Sequence, residues 1–299
     1  MKPANYRLLL SFCLLLLMGH GAVAQKDKSV RADWLAKDVA NIERILPQLK
    51  QNEPLTVPAL EQIFDSPRDN QIFDWRGGDR RLGFGGQVFV FSAPGGYAYF
   101  SIRGWVFNGM IGNYTIALHT NADTSPIVKS VLVETWKRAG GPEFTEGEYG
   151  FHYDREFASV IADYKKAVAE QLGEMQPVNV PADLKDDYEL LISLGTNSIV
   201  GQGSCGYGAV TPPGKEAIDA IVNANRLDLL ANVLKGYNPG GRTYAAVALT
   251  AMQRNRVKLS SDILHTLDVV SNLDLRLETC NGCLLGFKTA RTIIDEWRF

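Results

Sequence analysis

The sequence predicts an α+β fold, with an antiparallel sheet and covering helices in the N-terminal half and an all-α C-terminal half of short helical hairpins. Residues 71–120 are rich in aromatic and β-branched side chains, interrupted by Gly, Pro and Asn, which is typical of hairpins. The segments before and after this region carry apolar residues at steps of three and four, which indicates helices. From residue 183 to the end, helical spacing dominates.

Residues 1–24 have the pattern of a secretory leader peptide. Lys2 and Arg7 precede a short apolar run, and Ala22 and Ala24 supply the small residues of a cleavage site. The apolar run is shorter than the ~20 residues that a membrane-spanning helix needs. We therefore expect cleavage near Ala24, a secreted or periplasmic location and no transmembrane segment in the mature chain.

The charge balance argues against a nucleic-acid-binding protein. The 299-residue chain has a net charge of −2, and loss of Lys2 and Arg7 with the leader leaves −4. Proteins that bind nucleic acid need a basic surface to neutralise phosphates. We expect another protein as the partner, and no nucleic acid.

The elements of the N-terminal half are predicted in order along the chain. Residues 28–51 place their apolar side chains on one helical face, and Pro58 suits the first turn of a shorter helix. Asn108-Gly109 is a hairpin signal, because both residues accept a positive φ. The expected strands are VFVF (88–91), YAYFSIR (97–103), WVF (105–107) and YTIALH (114–119).

Two further helices are predicted before a domain boundary. Residues 127–137 fit a helix better than a strand, and residues 154–173 place apolar side chains on one face and end at Gly173. Pro177 and Pro181 disfavour helix in the residues before them.

These features divide the chain into a leader and two domains. We predict an α+β domain over residues 25–173, a linker over 174–182 and a helical domain over 183–299.

The C-terminal domain is predicted to be helical to its end. Ser260 and Ser261 are candidate N-caps. The predicted helices cover residues 183–194, 214–226, 227–236, 240–255, 260–273 and 287–297.

Part of this domain resembles a HEAT-type helical repeat. Residues 229–252 read as a short helix, a turn carrying Pro239, then Arg242 and an alanine-rich core at Ala245 and Ala246. The resemblance extends, in degenerate form, over residues 214–272. It implies a helical-hairpin array that acts as a binding scaffold, without naming a partner.

The glycine-rich stretch at 201–217 does not form a nucleotide-binding motif. Gly201, Gly203 and Gly206 match G-x-G-x-x-G, but Pro212 and Pro213 follow before a helix can start. Gly214-Lys215 lacks the earlier glycine of a P-loop, and Glu216 stands where Ser or Thr is required. We expect no cofactor.

The cysteines allow several interpretations, and Cys280-Asn-Gly-Cys283 alone could be a redox pair, half of a zinc site or a local disulfide. Cys205 with His265 could form a nucleophile and base, although no aromatic residue follows the cysteine as in papain-like enzymes. In an oxidising compartment, Cys205, Cys280 and Cys283 are instead disulfide candidates. We favour a bond from Cys205 to the 280–283 turn, which would tie the glycine-rich crossover to the tail.

An acidic cluster lies at residues 143–156. Glu146, Glu148, His152 and Asp154 are candidate metal ligands or acid–base groups, because carboxylates and imidazole suit divalent metals. The alternative is a solvated loop leading into a helix whose first turn carries Asp154 and Glu156, where negative charge complements the helix dipole.

The aromatic side chains of the predicted sheet could bind a ligand. Alternation along a strand sends half of them to each face, so one face could be a platform for sugar or peptide, or both could pack against helices. These residues are Tyr97, Tyr99, Phe100, Trp105, Phe107 and Tyr114. Asn113 begins a glycosylation sequon, Asn-Tyr-Thr.

Taken together, these observations predict an exported, non-catalytic protein that binds another protein through a helical repeat-like domain. The alternative is a secreted hydrolase that uses either Cys205 with His265 or the acidic cluster near His152.

Overall fold

The structure is a computed structural model that describes most of the chain beyond the predicted leader. The described residues are 30–51, 55–64, 81–121, 123–147, 150–194, 199–205, 210–282 and 284–297. The predicted leader and its cleavage site therefore lie outside the described residues. Among the helices that are described, none has the length and apolar character needed to cross a membrane.

The described residues form nine strands in one sheet. They lie in the order β5-β6-β4-β3-β2-β1-β8-β7, with β9 paired to β8. Strand β7 runs parallel to β8, whereas β9 and β1 are antiparallel to it. The strands are β1 (Arg81–Gly83), β2 (Gly86–Pro94), β3 (Ala98–Phe107), β4 (Met110–Thr120), β5 (Thr145–Gly147), β6 (Gly150–Glu156), β7 (Val200–Cys205), β8 (Leu275–Gly282) and β9 (Leu284–Thr289).

Ten α-helices are present in the described part of the chain. They are α1 (Ala32–Gln51), α2 (Val57–Phe64), α3 (Pro126–Arg138), α4 (Ala158–Leu172), α5 (Lys185–Ile192), α6 (Pro213–Asn223), α7 (Leu227–Lys235), α8 (Pro239–Arg254), α9 (Ser261–Asn272) and α10 (Ala290–Glu296). Helix α3 confirms the predicted helix at 127–137. Ser260 caps α9, as expected, by accepting a hydrogen bond from the Ile263 amide at 3.3 Å.

The prediction of an all-α C-terminal half was wrong. Strands β7, β8 and β9 lie within it, and residues 287–289, which were expected in a helix, belong to β9. Leu275 and Leu277 are buried at alternate positions of β8, which is the period of a strand. A short strand pair joined at Gly282, which has a φ of +59°, replaces helix here.

The HEAT-like array is also corrected by this topology. Residues 214–272 form most of α6 to α9, which connect β7 to its parallel neighbour β8. Parallel neighbours cannot be joined by a tight turn and need a crossover connection. The alanine-rich helix α8 is part of that crossover, and its small side chains serve a mixed α+β core.

A third correction concerns residues 150–156. Asp154 and Glu156 lie in β6, which pairs with β5, and α4 begins only at Ala158. They are therefore not in the first turn of a helix. Strand pairing to β5 and β4, which lie on either side of β6, accounts for the difference.

The chain divides into two compact units. Of the described residues, those within 30–64, 91–102 and 115–153 form the first unit, and those within 81–90, 103–114 and 154–297 form the second. The predicted domain division at residues 174–182 stays a prediction.

In the first unit, a buried carboxylate joins α1 to the turn between β2 and β3. Asp38 accepts hydrogen bonds from the amides of Gly96 and Tyr97 at 2.7 and 2.8 Å and is 2% exposed. A side chain at Gly95 would place its Cβ 1.7 Å from the Asp38 carboxylate. Glycine is therefore required for this close approach.

In the second unit, helix α8 is central and buried along its first eleven residues. The Tyr244 hydroxyl accepts from the Gly201 amide at 2.7 Å and donates to the Gly201 carbonyl at 3.0 Å, which fixes α8 to β7. Cys205 and Cys280 form a disulfide that links β7 to β8. The predicted disulfide from Cys205 to the 280–283 turn is thus confirmed, with Cys280 as the partner, whereas residues 201–205, expected in a crossover loop, belong to β7.

Candidate functional site

A pocket of about 280 Å³ lies within the second unit. Its wall is partly apolar and partly polar. The apolar lining residues are Trp105, Ile161, Ile192 and Leu194. The polar lining residues are Asn113, Glu156, Lys165, Ser193 and Tyr237. Five of the nine lining residues are therefore polar, and polar groups in a pocket are what orient a bound small molecule.

The sequence builds this pocket from strand ends and one helix face. Ile161 and Lys165 lie four residues apart on α4, so they share a face. A Cβ at Gly112 would lie 2.2 Å from the Trp105 indole ring, so glycine makes room for that ring. The Phe157 amide donates to the Gly112 carbonyl at 2.9 Å, which holds the end of β6, and with it Glu156, beside β4.

Another part of the pocket wall is formed where one backbone hydrogen bond joins the end of α5 to the segment after α7. The Tyr237 amide, just after α7, donates to the carbonyl of Ile192, the last residue of α5, at 2.9 Å. Burial, together with the nearby charge of Glu174, raises the pKa of the Tyr237 hydroxyl above its ordinary value. A tyrosine hydroxyl already keeps its proton at neutral pH, so it can donate a hydrogen bond there.

Two charges of opposite sign line the pocket. The Lys165 ammonium lies 5.0 Å from the centre of the Tyr237 ring, a cation–π geometry. Across the described residues, neither Lys165 nor Glu156 forms a salt bridge. Both charges are therefore available to a bound molecule.

Two buried polar atoms on lining residues have no hydrogen-bond partner within the described part of the chain. They are the indole Nε1 of Trp105, whose side chain is 1% exposed, and the amide Oδ1 of Asn113. Most buried polar groups in native proteins are satisfied, and an unsatisfied one costs about 1–3 kcal/mol. Neither atom is accessible to solvent, so both lie inside the wall of the pocket and not on the surface that a bound molecule would touch.

The predicted nucleophile and base are not brought together. Cys205 is bonded to Cys280, and Cys283 lies outside the described residues. His265 is exposed on α9, and in the described structure no hydrogen bond joins it to Cys205.

The acidic cluster is divided between the two faces of the β5–β6 pair. Glu146 is the cross-strand partner of Phe151, whereas His152 and Asp154 occupy the alternate positions of β6. Side chains of partner residues share a face, and successive residues alternate, so Glu146 lies on the face opposite to His152. Glu148 lies outside the described residues. Among those described, no cluster of three or more His, Cys, Asp or Glu side chains could hold a metal ion.

The aromatic residues serve different purposes. Trp105 and Phe107 pack against Tyr164 of α4, with ring centres 5.3 and 5.6 Å apart. Tyr99 is 47% exposed and stacks on His119 at 4.3 Å. Of the aromatic residues singled out from the sequence, Trp105 lines the pocket.

Sequence reasoning missed most of the pocket. Asn113 was considered only as a sequon and Glu156 only as part of an acidic cluster, whereas Lys165, Ser193 and Tyr237 carried no motif. The available signal was the glycine at 112 in an otherwise bulky strand, since a glycine within a strand often marks a close approach.

Comparisons of the chain with protein-family models, with curated proteins and with solved structures give no match. The pocket geometry is therefore the observation from which a function is inferred.

Proposed function

We propose that the protein is an exported, non-catalytic binding protein whose second unit holds a small polar molecule in the 280 Å³ pocket. The observation that carries this proposal is the pair of opposite charges, Lys165 and Glu156, that line the pocket and form no salt bridge among the described residues.

Export is supported by two independent features. Residues 1–24 have the sequence pattern of a cleaved leader. The Cys205–Cys280 disulfide is of a kind that persists in oxidising compartments outside the cytosol.

A binding role is favoured over the hydrolase alternative. A cysteine nucleophile needs a thiolate, and the Cys205 sulfur is engaged in a disulfide. Glu146 and His152 lie on opposite faces of their strand pair, which does not favour shared acid–base work. The expected protein partner stays a prediction, and the corrected fold offers no repeat array on which to place it.

The test is a thermal-unfolding screen of the exported protein with amino acids, monosaccharides and short carboxylic acids. A ligand at a hundred times its dissociation constant stabilises the folded state by ~2.7 kcal/mol, which raises the midpoint by a few degrees. Ser193→Trp places an indole at the pocket wall and should abolish the increase.

Ser193→Ala is the matched control, because it keeps the pocket open. It should respond to the ligand like the wild type. The proposal fails if no compound raises the midpoint, or if Ser193→Trp responds as strongly as Ser193→Ala.

A further inference from the structure

We infer that the molecule bound in this pocket is a free α-amino acid with an apolar side chain of medium size. This inference rests on the proposed function and specifies the ligand class of the same site.

The first argument is the arrangement of charge. Lys165 comes from α4 and Glu156 from the end of β6, and each lines the pocket without a salt bridge to the other or to another described residue. A ligand that carried one charge would leave the second without a counter-charge. A zwitterion supplies both, because its carboxylate suits Lys165 and its ammonium suits Glu156.

The second argument is that a neutral donor accompanies the cation. The Lys165 ammonium lies 5.0 Å from the centre of the Tyr237 ring, and Tyr237 also lines the pocket. A tyrosine hydroxyl can donate a hydrogen bond, which suits a carboxylate.

The third argument is size. A volume of about 280 Å³ lies just below the range of ~300–1,000 Å³ found for small-molecule sites, which suits a ligand as small as leucine. The side chains of Ile161, Ile192 and Leu194 supply an apolar wall for its side chain. A neutral sugar of similar volume would leave Lys165 and Glu156 without partners.

The experiment is calorimetric titration of the purified exported protein with four probes: L-leucine, L-leucinamide, N-acetyl-L-leucine and glucose. L-Leucinamide lacks the carboxylate, and N-acetyl-L-leucine lacks the ammonium. L-Leucine should bind, and each analogue should bind about ten- to a hundred-fold more weakly, because each loses charge-assisted hydrogen bonds. Glucose should not bind.

Variants assign each end of the ligand to one residue. In Lys165→Met the preference for L-leucine over L-leucinamide should fall to within about threefold, since the carboxylate no longer has its cation. In Glu156→Gln the preference for L-leucine over N-acetyl-L-leucine should likewise fall to within about threefold, since the ammonium no longer has its carboxylate. Lys165 and Glu156 are exposed, so circular dichroism should show both variants folded.

Neighbouring side chains provide the controls. Lys166 is 76% exposed, follows Lys165 on α4 and does not line the pocket. Asp154 precedes Glu156 by two residues on β6 and also does not line it. Lys166→Met and Asp154→Asn should leave all four affinities within about twofold of the wild type, as expected for surface substitutions.

The possible failures can be told apart. If glucose binds and Ser193→Trp abolishes that binding, the amino-acid inference is wrong and the proposed function stands. If L-leucine binds equally well to Lys165→Met, Glu156→Gln and the wild type, the charge assignment is wrong. If none of the four probes binds and the wider thermal screen is also empty, the proposed function fails together with this inference.

Discussion

Arg242 is a fully buried cation that is held by neutral oxygens. Its side chain is 0% exposed and donates to the carbonyls of Gly236 and Leu82 at 2.8 and 2.6 Å and to the Tyr164 hydroxyl at 3.2 Å. Its guanidinium lies 5.0 Å from the centre of the Phe84 ring. In the described structure it forms no salt bridge with a carboxylate.

Replacing Arg242 with methionine removes these donors and keeps a long apolar stem. Each bond from a charged donor to a carbonyl contributes ~1.5–3 kcal/mol. Tyr164 still donates to the Leu82 carbonyl at 3.2 Å, so the Gly236 carbonyl is the acceptor left without a partner. The opposing effect is that methionine avoids the cost of burying a charge. For this reason some replacements of buried charges by apolar residues leave stability unchanged. Because two carbonyl bonds and a cation–π contact are lost, we expect Arg242→Met to lower the free energy of unfolding by ~3 kcal/mol.

The measurement is urea unfolding, which gives this free energy by linear extrapolation. Arg242→Lys keeps the charge and one or two of the bonds, so it should lose less, on the order of 1–2 kcal/mol. If Arg242→Met were as stable as the wild type, the burial cost of the cation would outweigh its hydrogen bonds. The account of Arg242 as a stabilising residue would then be wrong.

Three further predictions follow from the fold. Asp38→Asn should lower the free energy of unfolding by ~2 kcal/mol, because the asparagine N–H₂ would face one of the two backbone N–H groups that now donate to the carboxylate. Thermal unfolding measures this loss, with the exposed Asp33→Asn as the control. Burial raises the pKa of Tyr188, Tyr237 and Tyr244 in the folded state. The free energy of unfolding should therefore be unaffected by these groups below the pKa of an unfolded tyrosine, ~10, and should fall above that pH by up to ~1.4 kcal/mol per pH unit for each tyrosine. Urea unfolding from neutral to alkaline pH should show this decline, and Tyr244→Phe should make it shallower. Peptide mapping of the non-reduced protein should recover a Cys205–Cys280 linked pair, whereas a Cys280–Cys283 pair would contradict the structure.

The helices of the N-terminal half and the hairpin at residue 108 were predictable because local signals determine them. Apolar steps of three and four define α1 and α3. Asn108 and Gly109 adopt φ values of +51° and +78°, as the hairpin signal indicates. These features depend on side chains that are close in sequence, so a single sequence displays them.

The strands of the C-terminal half were not predictable in the same way. Strand β7 consists of Val-Gly-Gln-Gly-Ser-Cys, whose glycines have low strand propensity, and it exists because β8, more than seventy residues later, pairs with it. The sequence favoured a disulfide from Cys205 to one of the two cysteines near residue 280. The choice of Cys280 over Cys283 depends on the register between β7 and β8, which the sequence does not reveal.

The pocket shows the same limit more strongly. Its charged residues lie on β6 and α4, and its walls come from segments between residues 105 and 237. No spacing in the sequence brings Trp105 near Lys165. Only the packing of α4 on β3, through Tyr164, does so.

The most direct test of the pocket is the behaviour of the Trp105 indole N–H in solution. A ¹H–¹⁵N spectrum of the protein labelled at tryptophan, with Trp105→Phe to assign the signal, can be followed while L-leucine, or any ligand found by thermal unfolding, is added. The account predicts that the Trp105 resonance moves and saturates with the same dissociation constant as calorimetry, because Trp105 lines the pocket and the surroundings of its indole ring change when the ligand binds. A ligand that binds while the Trp105 resonance stays in place would show that the molecule is bound elsewhere and would contradict the central claim.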